Sequence, residues 1–186
     1  GKEQVPSSGK SSRGGFTERS QRKKDRQNKK QGNLAEYYVI LALAEKKITE
    51  VNAFFNDEPY SIIWKSGAAN EVVKHKDDNY DYDTSQVSDD AGYDIEVVNK
   101  NDPNKKMCLE VKSSSSSDCS FFMSIGEYTK AKNIEEEGGC YRIVFVSNMD
   151  TDHKKVTLID RPISKAFDIN ATQYNVVFNK EKFDKQ

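Results

Sequence analysis

The segment "MCLEVKSSSSSDC", residues 107 to 119, sets an acid and a base, Glu110 and Lys112, two residues apart inside an apolar run. Alternation along a strand puts Met107, Leu109 and Val111 on one face and Cys108, Glu110 and Lys112 on the other. The carboxylate and the ammonium then leave the backbone roughly 7 Å apart in the same direction, and can converge on one small object. Upstream, "YDIEVVN" sets Asp94 among apolar Tyr93, Ile95 and Val97. If the two runs pair as a hairpin, Asp94 lies beside Glu110 or Lys112. Two carboxylates held this close repel unless a cation or a proton sits between them. Hard oxygen ligands suit Mg2+ or Mn2+, with water in the remaining positions. A lysine beside such an ion can orient or deprotonate a water. These are the groups that attack on a phosphodiester requires, the metal neutralising phosphate, activating the nucleophile and stabilising the leaving oxygen. The competing reading is a Glu–Lys pair on a half-exposed strand, worth little. Acid–any–Lys also occurs at Glu45/Lys47 and Asp152/Lys154, so the signature alone distinguishes nothing. Only the pair at 110 and 112 lies in an apolar strand, sixteen residues beyond an acid in another.

Those strands need elements to hold them. "NLAEYYVILALAEKKI" predicts a helix capped by Asn33, with Leu34, Tyr37, Tyr38, Leu41, Ala44 and Ile48 at helical spacing. Ile40 and Leu43 add apolar residues on its other side, so much of its circumference is buried. Glu36 near its start either favours the helix dipole or points into a site. "YSIIWK" reads as a strand. The stretch from 66 to 92 carries six aspartates without a clear period, and is read as a long loop with a flexible acidic insertion at about 74–90. "KNDPNKK" turns the hairpin between "YDIEVVN" and "KMCLEVKS". "SIGEYTKAKNIEEEGG" is a helix with a capping box, Ser124 and Glu127, stopped by Gly138 and Gly139. "CYRIVFVSN" is a buried strand, "KVTLID" and "YNVVFN" are further strands, and "RPISKAF" is a helical turn begun by Pro162. The order predicts an α/β sandwich around a mixed sheet.

Charge divides the 186 residues. Residues 1–31 hold ten Lys or Arg against three acids and read as a basic disordered arm or linker. Residues 32–186 form the folded domain and carry a net of −8. No apolar run approaches the ~20 residues that cross a bilayer, so no membrane partner is expected. Cys108, Cys119 and Cys140 share no ligand spacing, and His75 and His153 stand apart. That argues against a zinc or Ser–His centre and for an intracellular setting, cytoplasmic or nuclear.

In chain order, "NLAEYYVI", "AGYDIEV", "CLEVKSS", "FFMSIGEYTKA" and "CYRIVFV" resemble the PD-(D/E)XK nuclease superfamily, and within it the NO VEIN C-terminal-like domain. The likeness spans roughly residues 32–147. It implies a restriction-endonuclease-like sandwich, a central mixed sheet flanked by helices. It implies metal binding by Asp94, Glu110 and the main-chain carbonyl of Val111, with Lys112 as the catalytic lysine. Glu36 would match the acid of the first helix, which orients the lysine or water or assists a second metal. Ser113 would contact phosphate, and an acid is expected at Glu127 also. Tyr141 is read as buried packing. The expectation is a Mg2+- or Mn2+-dependent endonuclease acting on DNA, within a larger restriction, defence or genome-maintenance protein. Positive charge for nucleic acid would come from Lys112, Lys130 and Arg142, or from the basic arm and neighbouring domains. The alternative is an inactive module of the same fold that binds nucleic acid or a protein. Oligomeric state is open, a dimer included.

Overall fold

The computed structural model describes residues 18–72, 79–88, 90–117, 119 and 121–166. Five strands with alternating or continuous apolar character form one sheet in sequence order. They are β1 (Tyr60–Trp64), β2 (Ile95–Asn99), β3 (Lys106–Ser113), β4 (Cys140–Ser147) and β5 (Lys155–Ile159). β3 and β4 run parallel, and the other neighbours antiparallel, so the sheet is mixed. The parallel step needs a crossover, which α4 (Ile125–Glu136) supplies. The hairpin between β2 and β3 turns at Asn101–Asp102, where Asn99 Oδ1 accepts both N–H groups.

Each face of the sheet is covered by helix. On one, α1 (Glu18–Ala44) buries Ala35, Val39, Ile40 and Leu43 against Ile62, Trp64, Val97, Leu109 and Val144. α2 (Thr49–Phe54) and the Phe55 that follows close the end of that core. α2 was not foreseen, because six residues are too few for a helical period to show. On the other face, Ala131 of α4 and Ile163 of α5 (Ile163–Ala166) pack on Cys108, Tyr141 and Ile143. The described residues thus form an α/β fold, a mixed five-stranded sheet between helices.

Two segments depart from expectation. Helix α1 begins at Glu18, not at Asn33, so residues 18–31 of the basic arm are helical; residues 1–17 lie outside the described residues. Its Arg, Lys and Gln are good helix formers, and Gly32 costs only about 1 kcal/mol in mid-helix. Asn33 is therefore no cap; its side-chain amide donates to Glu71 Oε2 at 2.6 Å. The described parts of the acidic stretch are built into the fold. The stretch opens with α3 (Ala68–Val72), and residues 79–88 strap along β1. The Trp64 N–H donates to the Asp83 carbonyl, and the Asp83 N–H to the Ile62 carbonyl, both at 2.8 Å. Tyr82 and Val87 pack on the main core between the acids. A sheet edge left bare carries unpaired backbone groups, and this strap pairs with those of Ile62, Trp64 and Lys65. Residues 73–78 and the expected strand "YNVVFN" lie outside the described residues.

Candidate functional site

Asp94 sits just before β2, and its position is set by main-chain bonds on several sides. Ile95 is the register partner of Leu109, yet the Asp94 N–H also donates to the Leu109 carbonyl at 3.0 Å. Two residues thus face one of β3, the arrangement of a β-bulge, which re-aims a side chain. The Asp94 carbonyl accepts from Lys65 N–H at 2.7 Å, while its Oδ2 accepts from Val111 N–H at 2.8 Å. Gly92, two residues earlier, has φ +74°, and its carbonyl accepts from the Tyr141 hydroxyl at 3.3 Å. A Cβ there would stand 2.7 Å from Cγ of Lys130.

Strand alternation delivers Glu110 and Lys112 to the α4 face, with Cys108. Glu110 is 3 % exposed, and its Oε1 lies 2.7 Å from the Lys112 ammonium. The same ammonium donates to Glu127 Oε1 at 3.2 Å. Glu127 Oε2 accepts from Ser124 N–H at 2.6 Å, while Ser124 Oγ accepts from Glu127 N–H. Glu127 therefore does both things at once: it closes the capping box of α4 and holds Lys112. Across the sheet edge, Glu36 Oε2 accepts from the Trp64 indole N–H at 2.7 Å and from the Ser66 hydroxyl.

These side chains feel one another's charge. Burial, and then Glu110, push the Glu36 carboxyl up to about 7, against the pull of Ser66, Trp64 and Lys112. Burial raises Asp94 to about 8, with Glu36 and Glu127 adding to the effect. Glu110 rises to about 8 through burial and then Asp94. Burial opposes the Lys112 charge, but Glu110 and Glu127 hold its ammonium above the ordinary value. Glu127 is burdened by burial too, yet Ser124 N–H and Lys112 bring it below the usual range. One lysine thus stands among four acids, and the excess negative charge favours a proton or a cation there.

A cleft of ≈ 440 Å³ opens on this cluster, with Asp94 and Glu127 in its wall beside Ser66, Gly92 and Ser124. Ser88 at the end of the acidic strap and Asp90 beyond it line it as well. Of the expected residues, the structure brings Glu36, Asp94, Glu110 and Lys112 together. Val111 contributes its N–H to Asp94, and its side chain belongs to the core. Ser113 ends β3 and is partly exposed opposite Val146. Lys130 is exposed on α4, its stem against Gly92 at the cleft. Arg142 is the exception. Its guanidinium donates to Asp160 Oδ1 at 3.3 Å and to the Tyr141 carbonyl at 2.8 Å, and lies 4.0 Å from Glu135. Acids at the far ends of α4 and β5 have claimed it, because the register sets Arg142 one residue off the strand face that carries Glu110. Tyr141 is fully buried, as packing requires. Sequence reasoning missed Trp64 and Ser66. Their only signal was an indole at the end of a strand, which reads as core.

Comparison with known proteins adds one result. No curated protein and no solved structure matches the chain. A family model described as "Protein NO VEIN, C-terminal" matches residues 65–159, a span that holds Asp94, Glu110, Lys112 and Glu127 but stops short of Glu36. With half of its length in that match, the chain belongs to the NO VEIN C-terminal family.

Proposed function

We propose that this domain is a divalent-metal-dependent phosphodiester hydrolase of the PD-(D/E)XK kind, acting on DNA within a larger protein. The observation that carries the reading is the convergence of Glu36, Asp94, Glu110 and Lys112, from α1, the start of β2 and one face of β3, within reach of one another's charge and behind a cleft whose wall holds Asp94 and Glu127. A strand serving only as core has no reason to bury that set.

The donor set fits Mg2+ or Mn2+. Among the described residues, no group of three or more His, Cys, Asp and Glu stands ready to hold a metal. Magnesium commonly takes one or two carboxylates and keeps its waters, which Asp94 and Glu110 with the Val111 main chain would satisfy. When bound, the ion would supply charge neutralisation of the phosphate and a more acidic water. The chain's own groups do the rest. Val111 N–H fixes the Asp94 carboxylate, and Glu127 with Glu110 fixes the Lys112 ammonium, which can orient a water or a phosphate oxygen. Glu36, steadied by Trp64 and Ser66 at Oε2, has a carboxyl near neutrality and can take up a proton at Oε1.

A second reading is favoured by the pairing of Lys112 with Glu110 and Glu127, which already offsets part of the acid charge. In that reading the domain binds nucleic acid or a protein without cutting. Plasmid and single-stranded substrates with Mg2+ or Mn2+, beside Asp94→Ala and Lys112→Ala proteins, separate the two. Metal-dependent cutting lost in both variants supports the hydrolase. Binding with no cutting by the unaltered protein overturns it.

A further inference from the structure

The first helix joins the basic arm to the candidate site without a break. α1 runs from Glu18 to Ala44, and Glu36 lies in its second half. Lys29 and Asn33 both reach Glu71 of α3, at 2.9 and 2.6 Å, and Glu36 reaches Trp64 and Ser66. Ser66 lines the cleft. These three positions therefore share one stripe of the helix, and its lower end meets the cleft wall.

The same stripe can be followed upward. Positions 36, 33, 29, 26 and 22 fall within about 80° of the circumference, at 3.6 residues per turn. They are Glu36, Asn33, Lys29, Arg26 and Arg22. Arg26 and Lys29 are exposed. Position 22 lies roughly 21 Å of helix axis from Glu36 and position 26 roughly 15 Å, and successive positions of the stripe are about 5 Å apart along the axis. Charges along each strand of a duplex recur on the same scale, at about 3.4 Å of axis per phosphate.

We infer that the stripe Arg22–Arg26–Lys29 of α1 is a docking surface for the phosphate backbone of double-stranded nucleic acid, set in register with the cleft by the continuous helix. The inference rests on the proposed hydrolase reading and extends it by naming where the substrate lies. Charge supports it: residues 1–31 carry a net of +7 and the remainder −8, so attraction for a polyanion must arise on the arm. Composition narrows the partner. Residues 18–31 contain no apolar or aromatic residue. Such a helix has nothing to insert into a lipid surface and no ring on which unpaired bases could stack. A continuous helix bearing a row of basic residues is left, and a duplex backbone is its rigid counterpart.

The test exploits helix geometry. Two alanines inserted between Asn28 and Lys29 turn Arg22 and Arg26 by about 200° while preserving every charge; four alanines bring them back to within about 40°. Binding of a fluorescent DNA duplex is followed by anisotropy across a salt series, in Asp94→Asn protein so that cutting does not intervene. The two-residue insertion is expected to weaken binding at least about tenfold, and the four-residue insertion to retain most of it. Arg22→Glu with Arg26→Glu, which leaves the helix length unchanged, is expected to lower the salt slope by about 2. Equal affinity for both insertions would overturn the docking stripe, as would anionic vesicles bound as tightly as the duplex or no duplex binding at all. Cutting by the unaltered protein in Mg2+ is scored separately. Stripe-dependent binding without cutting sinks the hydrolase and leaves this inference standing, and the opposite pair of results does the reverse.

Discussion

The Val111 N–H donates to Asp94 Oδ2 over 2.8 Å, so one strand holds the carboxylate that its neighbour carries. The bond ties the bulge before β2 to Val111 of β3, whose two chain neighbours, Glu110 and Lys112, both project from the opposite face of that strand. Asp94→Asn keeps an acceptor for that N–H and removes a charge from a buried acid cluster. The variant is expected to stay folded, to lose metal-dependent cutting, and to gain about 1 kcal/mol at pH 8 in chelator. Asp94→Ala leaves the N–H without its partner and is expected to lose about 1–3 kcal/mol. Urea unfolding of both proteins checks the contrast; an Asn variant less stable than the Ala variant would contradict it.

The acid cluster sets a direction for stability against pH. Glu36, Asp94 and Glu110 titrate above the ordinary carboxylate range when folded, at about 7 to about 8. Between roughly pH 4 and those values the folded chain holds more protons than the unfolded one, so stability falls as pH rises. Thermal melts in chelator should decline from pH 5 to pH 8, and Mg2+ should flatten the decline. Asp94→Asn should reduce the slope. A curve that climbs over this window would refute the assignment.

Trp64 is the chain's single tryptophan, and its indole N–H donates to Glu36 Oε2 at 2.7 Å. Its emission should therefore follow the charge on Glu36, with a transition near pH 7 in chelator. Mg2+ or Mn2+ should move that transition to lower pH, since a cation favours the ionised acids. Glu36→Gln should abolish the transition. Emission indifferent to pH in the unaltered protein would break the link between the indole and the carboxylate.

Glu127 combines two roles that substitution can separate. Glu127→Gln keeps an acceptor for Ser124 N–H but gives up the charge that holds Lys112. Cutting is expected to fall about tenfold or more, with stability changed by less than about 1 kcal/mol. Glu127→Ala also opens the capping box and should cost about 0.5–2 kcal/mol. Equal activity in the unaltered and Gln proteins would reduce Glu127 to a cap.

Two glycines should respond with opposite signs. Gly92 has φ +74° and presses on the Lys130 stem, so Gly92→Ala is expected to destabilise by about 1–2 kcal/mol and to disturb Asp94. Gly32 lies inside α1 with nothing within 4 Å of an added Cβ. Gly32→Ala should stabilise by about 0.5–1 kcal/mol and stiffen the link between the basic stripe and Glu36. Calorimetric midpoints moving in the same direction would contradict the pair.

Period-two alternation by itself determined the core face of β3 and the charged face that carries Glu110 and Lys112. Turn residues set the hairpin to β2, and Ser124 with Glu127 marked the start of α4. These are local choices, governed by side-chain direction and backbone hydrogen bonding within a few residues. The start of α1 was not legible, because a charged run rich in Lys, Arg and Gln suits a solvated helix as well as a loose arm. Tertiary structure alone decided the rest. It gave Glu36 its partners Trp64 and Ser66, from 28 and 30 residues away. It turned Glu127 toward Lys112, drew Arg142 to Asp160, and laid the acidic strap along β1. Each depends on which distant surfaces meet when the two helical layers close on the sheet, and long-range packing of that kind leaves no period in the chain.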